Sequence, residues 1–166
     1  FRGAISFNQA LNKWNVGEVM DMEEMFEAAY KFNQNINSWN VSKVKNMSYM
    51  FNSAKEFNQP LDKWNVSSVE DMTCMFRYTK KFNQPLNSWD VSKVKYMEEM
   101  FFEAVSFNQS LNRWNVSNVR NMARMFCDAK KFNQDLSMWK VQGATDTVNM
   151  FLGSPLEYRK PKWEGQ

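Results

Sequence analysis

The sequence predicts an α/β solenoid of about six coils, each built from 25 residues. Two observations predict it. A 25-residue pattern recurs without interruption, and each copy contains a short stretch with strand-like alternation followed by a stretch with helical spacing. A fixed period of roughly 20 to 50 residues is typical of repeat proteins in which each coil buries its apolar residues against its neighbours.

The repeat is defined by the tripeptide Phe-Asn-Gln, which begins at six positions 25 residues apart: Phe7, Phe32, Phe57, Phe82, Phe107 and Phe132. A Trp follows seven residues after each Phe, and a Val follows two residues after the Trp. In the first five repeats a Met-x-x-Met-Phe sequence comes next. One repeat therefore reads F-N-Q-x-L-x-x-W-N-V-S-x-V-x-x-M-x-x-M-F.

The first half of each repeat predicts a tight return at Phe-Asn-Gln and then a short parallel strand at Trp-x-Val. Alternation of Trp and Val with polar residues is typical of a strand with one buried face. Six Trp at one repeat position favour core packing over a carbohydrate-stacking ladder. The Asn-Gln pairs predict a ladder that satisfies backbone groups at the bend, because an ion site would require carboxylates.

The second half of each repeat predicts an amphipathic helix. Its apolar residues, such as Val44, Met47 and Met50, recur at helical spacing. Ser42 stands just before them, where a helix N-cap belongs. The many Met residues are expected to fill the core.

The pattern divides the chain into a repeat region, residues 1–151, and an irregular C-terminal cap, residues 152–166. The pattern weakens after Val141, and the following stretch is rich in Pro and charge. Phe1 aligns with Phe26, so the chain begins in the middle of a repeat. We therefore expect either that further coils precede it or that a partner covers this end.

Composition argues against several classes of function. The 21 basic and 18 acidic residues give a net charge of +3 without a basic block, so no nucleic-acid binding is expected. The absence of His excludes His-dependent catalytic triads and His-bearing zinc sites. No Gly-rich phosphate loop is present and no apolar run is long enough to span a membrane. We expect no enzyme activity, no cofactor and no metal.

The two cysteines are not expected to form a disulfide. Cys74 and Cys127 fall two coils apart. Coils stacked like the strands of a sheet place them roughly 10 Å apart, beyond the reach of a disulfide bond.

The segment FNQPLNSWDVSKVKYMEEMF, residues 82–101, resembles the repeats of the BspA-like leucine-rich-repeat surface proteins, a group also known as DUF285. The resemblance extends over residues 1 to about 151, and the tail from Gln142 departs from the motif. It implies a right-handed, leucine-rich-repeat-like solenoid. It also implies display at the cell surface or outside the cell, with roles in adhesion and protein binding and without catalysis.

The exposed positions around Trp-x-Val form the candidate binding face. Its two columns are Lys13, Ser38, Lys63, Ser88 and Arg113, and Asn15, Asn40, Asn65, Asp90 and Asn115. The predicted function is a non-catalytic protein-interaction or structural repeat module, displayed at a surface, that binds a protein or alternatively a surface glycan. The other function considered is a structural subunit permanently docked in a large multiprotein assembly.

Overall fold

The computed structural model describes residues 1–163, and in this part of the chain it contains no helix and no extended strand. The predicted α/β solenoid, with a strand and a helix in every coil, is therefore wrong. Backbone pairing takes the form of five isolated parallel bridges between residues 25 apart: Asp21–Asn46, Asn46–Asp71, Asp71–Tyr96, Tyr96–Asn121 and Asn121–Asp146. The 25-residue repeats are thus stacked on one another, each paired with the next.

Linked turns occupy the place of the predicted helix. The Met50 N–H donates to the Met47 carbonyl over 3.2 Å, and the same three-residue step recurs along the segment. Intervening N–H groups point to the next repeat instead, since Met47 donates to Asp71 and Tyr49 donates to Thr73. A helix would direct all of these groups along its own axis. The stack uses half of them to join successive repeats.

These turns require residues with positive φ angles. Tyr49 has φ of 57° and Ser53 has φ of 61°. Equivalent non-glycine residues are Glu24, Ala28, Cys74, Tyr78, Glu99, Glu103, Arg124, Asp128 and Asn149. Such a conformation costs about 1–2 kcal/mol per residue. All of these residues except Asn149 donate their N–H to a carbonyl of the next repeat, and this bond offsets the strain.

The predicted strand at Trp-x-Val has no bridge, although its inward and outward alternation is confirmed. Trp39 and Val41 are buried, whereas Asn40 between them is exposed. Each buried indole donates to a carbonyl of the preceding repeat, as Trp64 does to Ile36 over 3.0 Å. This bond satisfies a polar group that burial would otherwise leave without a partner.

Aromatic stacks run along the core. Phe57 lies 5.9 Å from Phe82, ring centroid to centroid, and Trp64 lies 6.4 Å from Trp89. The expectation that Trp is core is confirmed for the later repeats, in which Trp is 2–3% exposed, but Trp14 is 50% exposed. The repeat-position Met residues are buried as expected, apart from the partly buried Met25.

The Asn-Gln ladder at the return is confirmed. The Asn33 Oδ1 accepts from the Asn58 N–H over 2.9 Å and from the Gln59 side chain over 3.1 Å. The same bonds recur from repeat to repeat, because the side-chain oxygen of each Asn accepts from a backbone N–H of the next repeat.

The C-terminal segment extends these ladders. Arg159 donates to the Asn133 side chain over 2.8 Å, and the Trp163 indole donates to the Leu136 carbonyl over 3.0 Å. The boundary at residue 151 stays a prediction, and residues 164–166 of the predicted cap lie outside the described residues.

Both cysteines are free, as expected, and both are buried. Cys74 and Cys127 also occupy different positions within their repeats.

Candidate functional site

All ten residues of the candidate binding face are exposed. They come from stretches in which Trp and Val turn inward, so the polar residues between and before them are left on the surface. The stacking of repeats brings residues 25 positions apart into two adjacent columns. The structure therefore places the predicted residues on one continuous face.

Three shallow cavities lie along this face, with volumes of about 450, 310 and 400 Å³. Ser38 and Lys63 line the first. Arg113 lines both of the others, together with Asn115. Face residues outside these three cavities are Lys13, Asn15, Asn40 and Asn65.

The column that begins at Asn15 has a local structural role. The Asn40 Oδ1 accepts from the Ser42 N–H over 3.2 Å and from its hydroxyl over 2.7 Å. Asp90 accepts from the Ser92 N–H in the same way, and hydrogen bonds from Ser92 hold the pKa of the Asp90 carboxyl below its usual range. Ser42 therefore belongs to a side-chain turn, and its predicted role as a helix N-cap is wrong.

The column that begins at Lys13 differs more between repeats. The Ser88 hydroxyl donates to the Asp62 carbonyl over 3.1 Å. The side chains of Lys13, Lys63 and Arg113 make no ion pair or hydrogen bond within residues 1–163. These three cations are therefore available to pair with a ligand.

A larger cavity of about 490 Å³, which sequence reasoning missed, lies beside the irregular stretch that follows Val141. Its charged residues are Glu70, Lys93, Lys95 and Arg120. A hydrogen bond from Lys95, 2.6 Å long, is the main cause that lowers the pKa of the Glu70 carboxyl. Position 144, the equivalent of Val119, is the exposed Ala144, and Thr145 is buried instead, so the shift in register is visible only in the packing.

A second group that sequence reasoning missed spans three repeats on the turn-forming side. The Glu99 carboxylate lies 2.6 Å from Arg77 Nε and 2.8 Å from Arg124 Nη1. Both guanidinium groups also lie over the Phe102 ring, 5.3 and 4.7 Å from its centroid. Glu99 and Phe102 are buried, and their contacts with the two arginines connect three successive repeats.

Two further structural observations apply to residues 1–163. No three His, Cys, Asp or Glu side chains are grouped closely enough to hold a metal ion. No helix in the described part of the chain has the length and apolarity needed to cross a membrane.

Comparison with known families gives a match to the model described as Mycoplasma protein of unknown function, DUF285. It matches residues 1–76 and 60–161. Neither the curated proteins nor the solved structures contain a match to the chain. The family match agrees with the resemblance of the repeats to DUF285 and carries no BspA-like name.

Proposed function

We propose that this chain, which belongs to the DUF285 family, is a non-catalytic repeat module that binds a partner protein through the candidate binding face. The partner lies along the stack and contacts side chains from several repeats. We further propose that the module is displayed at a surface and contributes to adhesion.

One observation carries the proposal. Along the column that begins at Lys13, the framework is constant while the side chains alternate between basic and small. The Trp and Val residues beside this column are committed to the core, and the Asn residues of the neighbouring column stabilise turns. Side chains that differ between repeats on a constant framework are the means by which repeat proteins acquire specific binding surfaces.

The arrangement of the unpaired cations also supports a protein partner. Lys63 and Arg113 line shallow cavities, so a ligand that reaches them contacts walls as well as charges. Arg is enriched at protein interfaces because its planar guanidinium group makes several directed hydrogen bonds.

Site-specific photo-crosslinking tests the proposal. A photoreactive amino acid replaces Ser88 on the candidate face, and a matched control replaces Lys55, an exposed residue outside that face. Both proteins are exposed to intact cells of the source organism, and crosslinked partners are identified by mass spectrometry. Each candidate is then purified and its affinity is measured by calorimetry against the native chain and the Lys63→Glu/Arg113→Glu variant.

We expect a protein that crosslinks at position 88 and not at position 55, and whose affinity falls at least tenfold with the double variant. A partner that binds the double variant as tightly as the native chain would contradict the proposal. A glycan as the crosslinked species would replace the protein partner with the alternative class.

A further inference from the structure

The cavity beside the irregular stretch is bordered by the last repeat, where the register shifts by one residue. Thr145 is buried, and its hydroxyl donates to the Val119 carbonyl over 2.9 Å. Gln142 and Ala144, which precede it, line the cavity. Earlier repeats have Val at the position equivalent to 144, so this shift is specific to the last repeat.

The cavity carries an excess of positive charge. It is lined by three cations and one carboxylate. The carboxylate of Glu70 pairs with Lys95 over 2.6 Å. The side chains of Lys93 and Arg120 have no ion pair or hydrogen bond within residues 1–163. Two positive charges are therefore left without a partner beside a cavity of about 490 Å³.

The other lining groups indicate what kind of anion fits. Asn118 uses its amide N–H₂ on the Ser92 carbonyl over 2.7 Å, and its amide oxygen stays available to accept. Val119 and Ala144 add apolar surface. A peptide offers N–H donors and apolar side chains to such a wall. A phosphate group offers neither an N–H donor nor an apolar side chain.

We propose that this cavity binds an acidic segment of a partner protein, with two Asp or Glu carboxylates paired to Lys93 and Arg120. Arg120 is suited to bidentate pairing with a carboxylate, and Lys93 acts as a second point of attachment. Lys93 and Arg120 are not among the ten residues of the candidate binding face, although Ser117 lines both this cavity and one cavity of that face. The proposal is therefore tested independently of the function proposed above.

Fluorescence anisotropy with a fluorescein-labelled octaglutamate peptide tests this site at low ionic strength. The test variant is Lys93→Ala/Arg120→Ala. The matched control is Lys13→Ala/Lys63→Ala, which removes the same charge from the candidate binding face. All four side chains are exposed, and circular dichroism confirms that each variant is folded. An octaglutamine peptide measures binding that does not depend on charge.

We expect the test variant to weaken octaglutamate binding about fivefold, as two exposed ion pairs of ordinary strength would, and the control variant to leave it nearly unchanged. Equal weakening by both variants would show that the peptide responds only to net charge and would overturn the site. Absence of detectable binding to the native chain would also overturn it. Displacement of the peptide by inorganic phosphate at matched ionic strength would identify a phosphate site instead.

Discussion

At the scale of single residues, the fold depends on non-glycine residues held at positive φ. Ala28, with φ of 53°, lies next to Ala29, which is fully buried and has no positive φ. The two neighbours have the same side chain but different backbone conformations, because only Ala28 has a positive φ. The N–H of Ala28 donates to the Asn52 carbonyl over 2.8 Å, so its conformation is fixed by the next repeat.

Ala28→Gly is therefore expected to stabilise the protein by about 0.5–1 kcal/mol, because glycine adopts positive φ without strain. The matched control, Ala29→Gly, is expected to destabilise the protein by about 1 kcal/mol. This variant loses a buried methyl group, and its unfolded chain has more conformational entropy. Urea unfolding followed by tryptophan fluorescence measures both. Destabilisation by both variants would contradict the assigned backbone conformation.

A second residue-scale prediction concerns Cys74. Burial raises the pKa of its thiol from 9.0 to about 11, while the hydrogen bond with Tyr49 acts in the opposite direction. The folded protein therefore favours the neutral thiol over the thiolate. The stability that this preference contributes is complete below pH 9 and is lost as the pH rises to about 11. The stability difference between the native chain and Cys74→Ser should shrink over that range.

Thermal unfolding of both proteins between pH 8 and pH 11, roughly the interval spanned by the two pKa values, measures this difference. Iodoacetamide labelling gives an independent check, because only the thiolate reacts. We expect Cys74 to be labelled only when the protein unfolds. Rapid labelling of the folded chain at pH 8 would contradict its burial.

At the scale of the repeat, the sequence allowed the buried positions to be predicted and not the backbone that carries them. Val44, Met47 and Met50 are buried as their spacing indicates. A step of three residues, however, fits both a helical stripe and a chain of three-residue turns. What separates the two is the direction of the N–H groups, and those bonds reach residues 24 positions away, which local spacing does not show.

The exposure of the ten face residues was predictable for the same reason, because alternation of buried and exposed residues survives whether or not a strand forms. The cavity at Lys93 and Arg120 was not predicted, because it depends on a one-residue shift that only the packing of Thr145 reveals. The Glu99 group was also missed. Its members, Arg77 and Arg124, are distant in sequence and meet only when three repeats are stacked.

Glu99→Gln is expected to destabilise the protein by about 1–3 kcal/mol, because it leaves the partly buried guanidinium group of Arg77 and the more exposed one of Arg124 without their counter-ion. The side chain of Glu99 is only 12% exposed, whereas that of Glu70, paired with Lys95, is 45% exposed. The matched control Glu70→Gln should therefore have little effect. Chemical denaturation measures both variants, and equal effects would contradict the structural role of Glu99.

At the scale of the whole molecule, each repeat is bonded to its immediate neighbours. The bridges join residues 25 apart, and the indole bonds join residues 27 or 28 apart. Stability in such a stack is a sum of contributions from the repeats and from the interfaces between neighbours. A defect in the middle should therefore separate the molecule into two parts, whereas a defect in the first repeat should leave the others intact.

Phe82→Ala tests this expectation, because the Phe82 ring stacks on Phe57 at 5.9 Å and on Phe107 at 6.0 Å. Loss of a buried Phe costs about 3–5 kcal/mol, and here that cost falls on two interfaces at once. Hydrogen exchange should show lost protection at the amides of Phe76 and Phe101, which bond to the next repeat, while amides near both ends keep their protection longer.

Phe7→Ala, in the first described repeat, serves as the control and should change exchange only in its neighbourhood. Uniform loss of protection along the chain in Phe82→Ala would instead show that the stack unfolds as one cooperative unit.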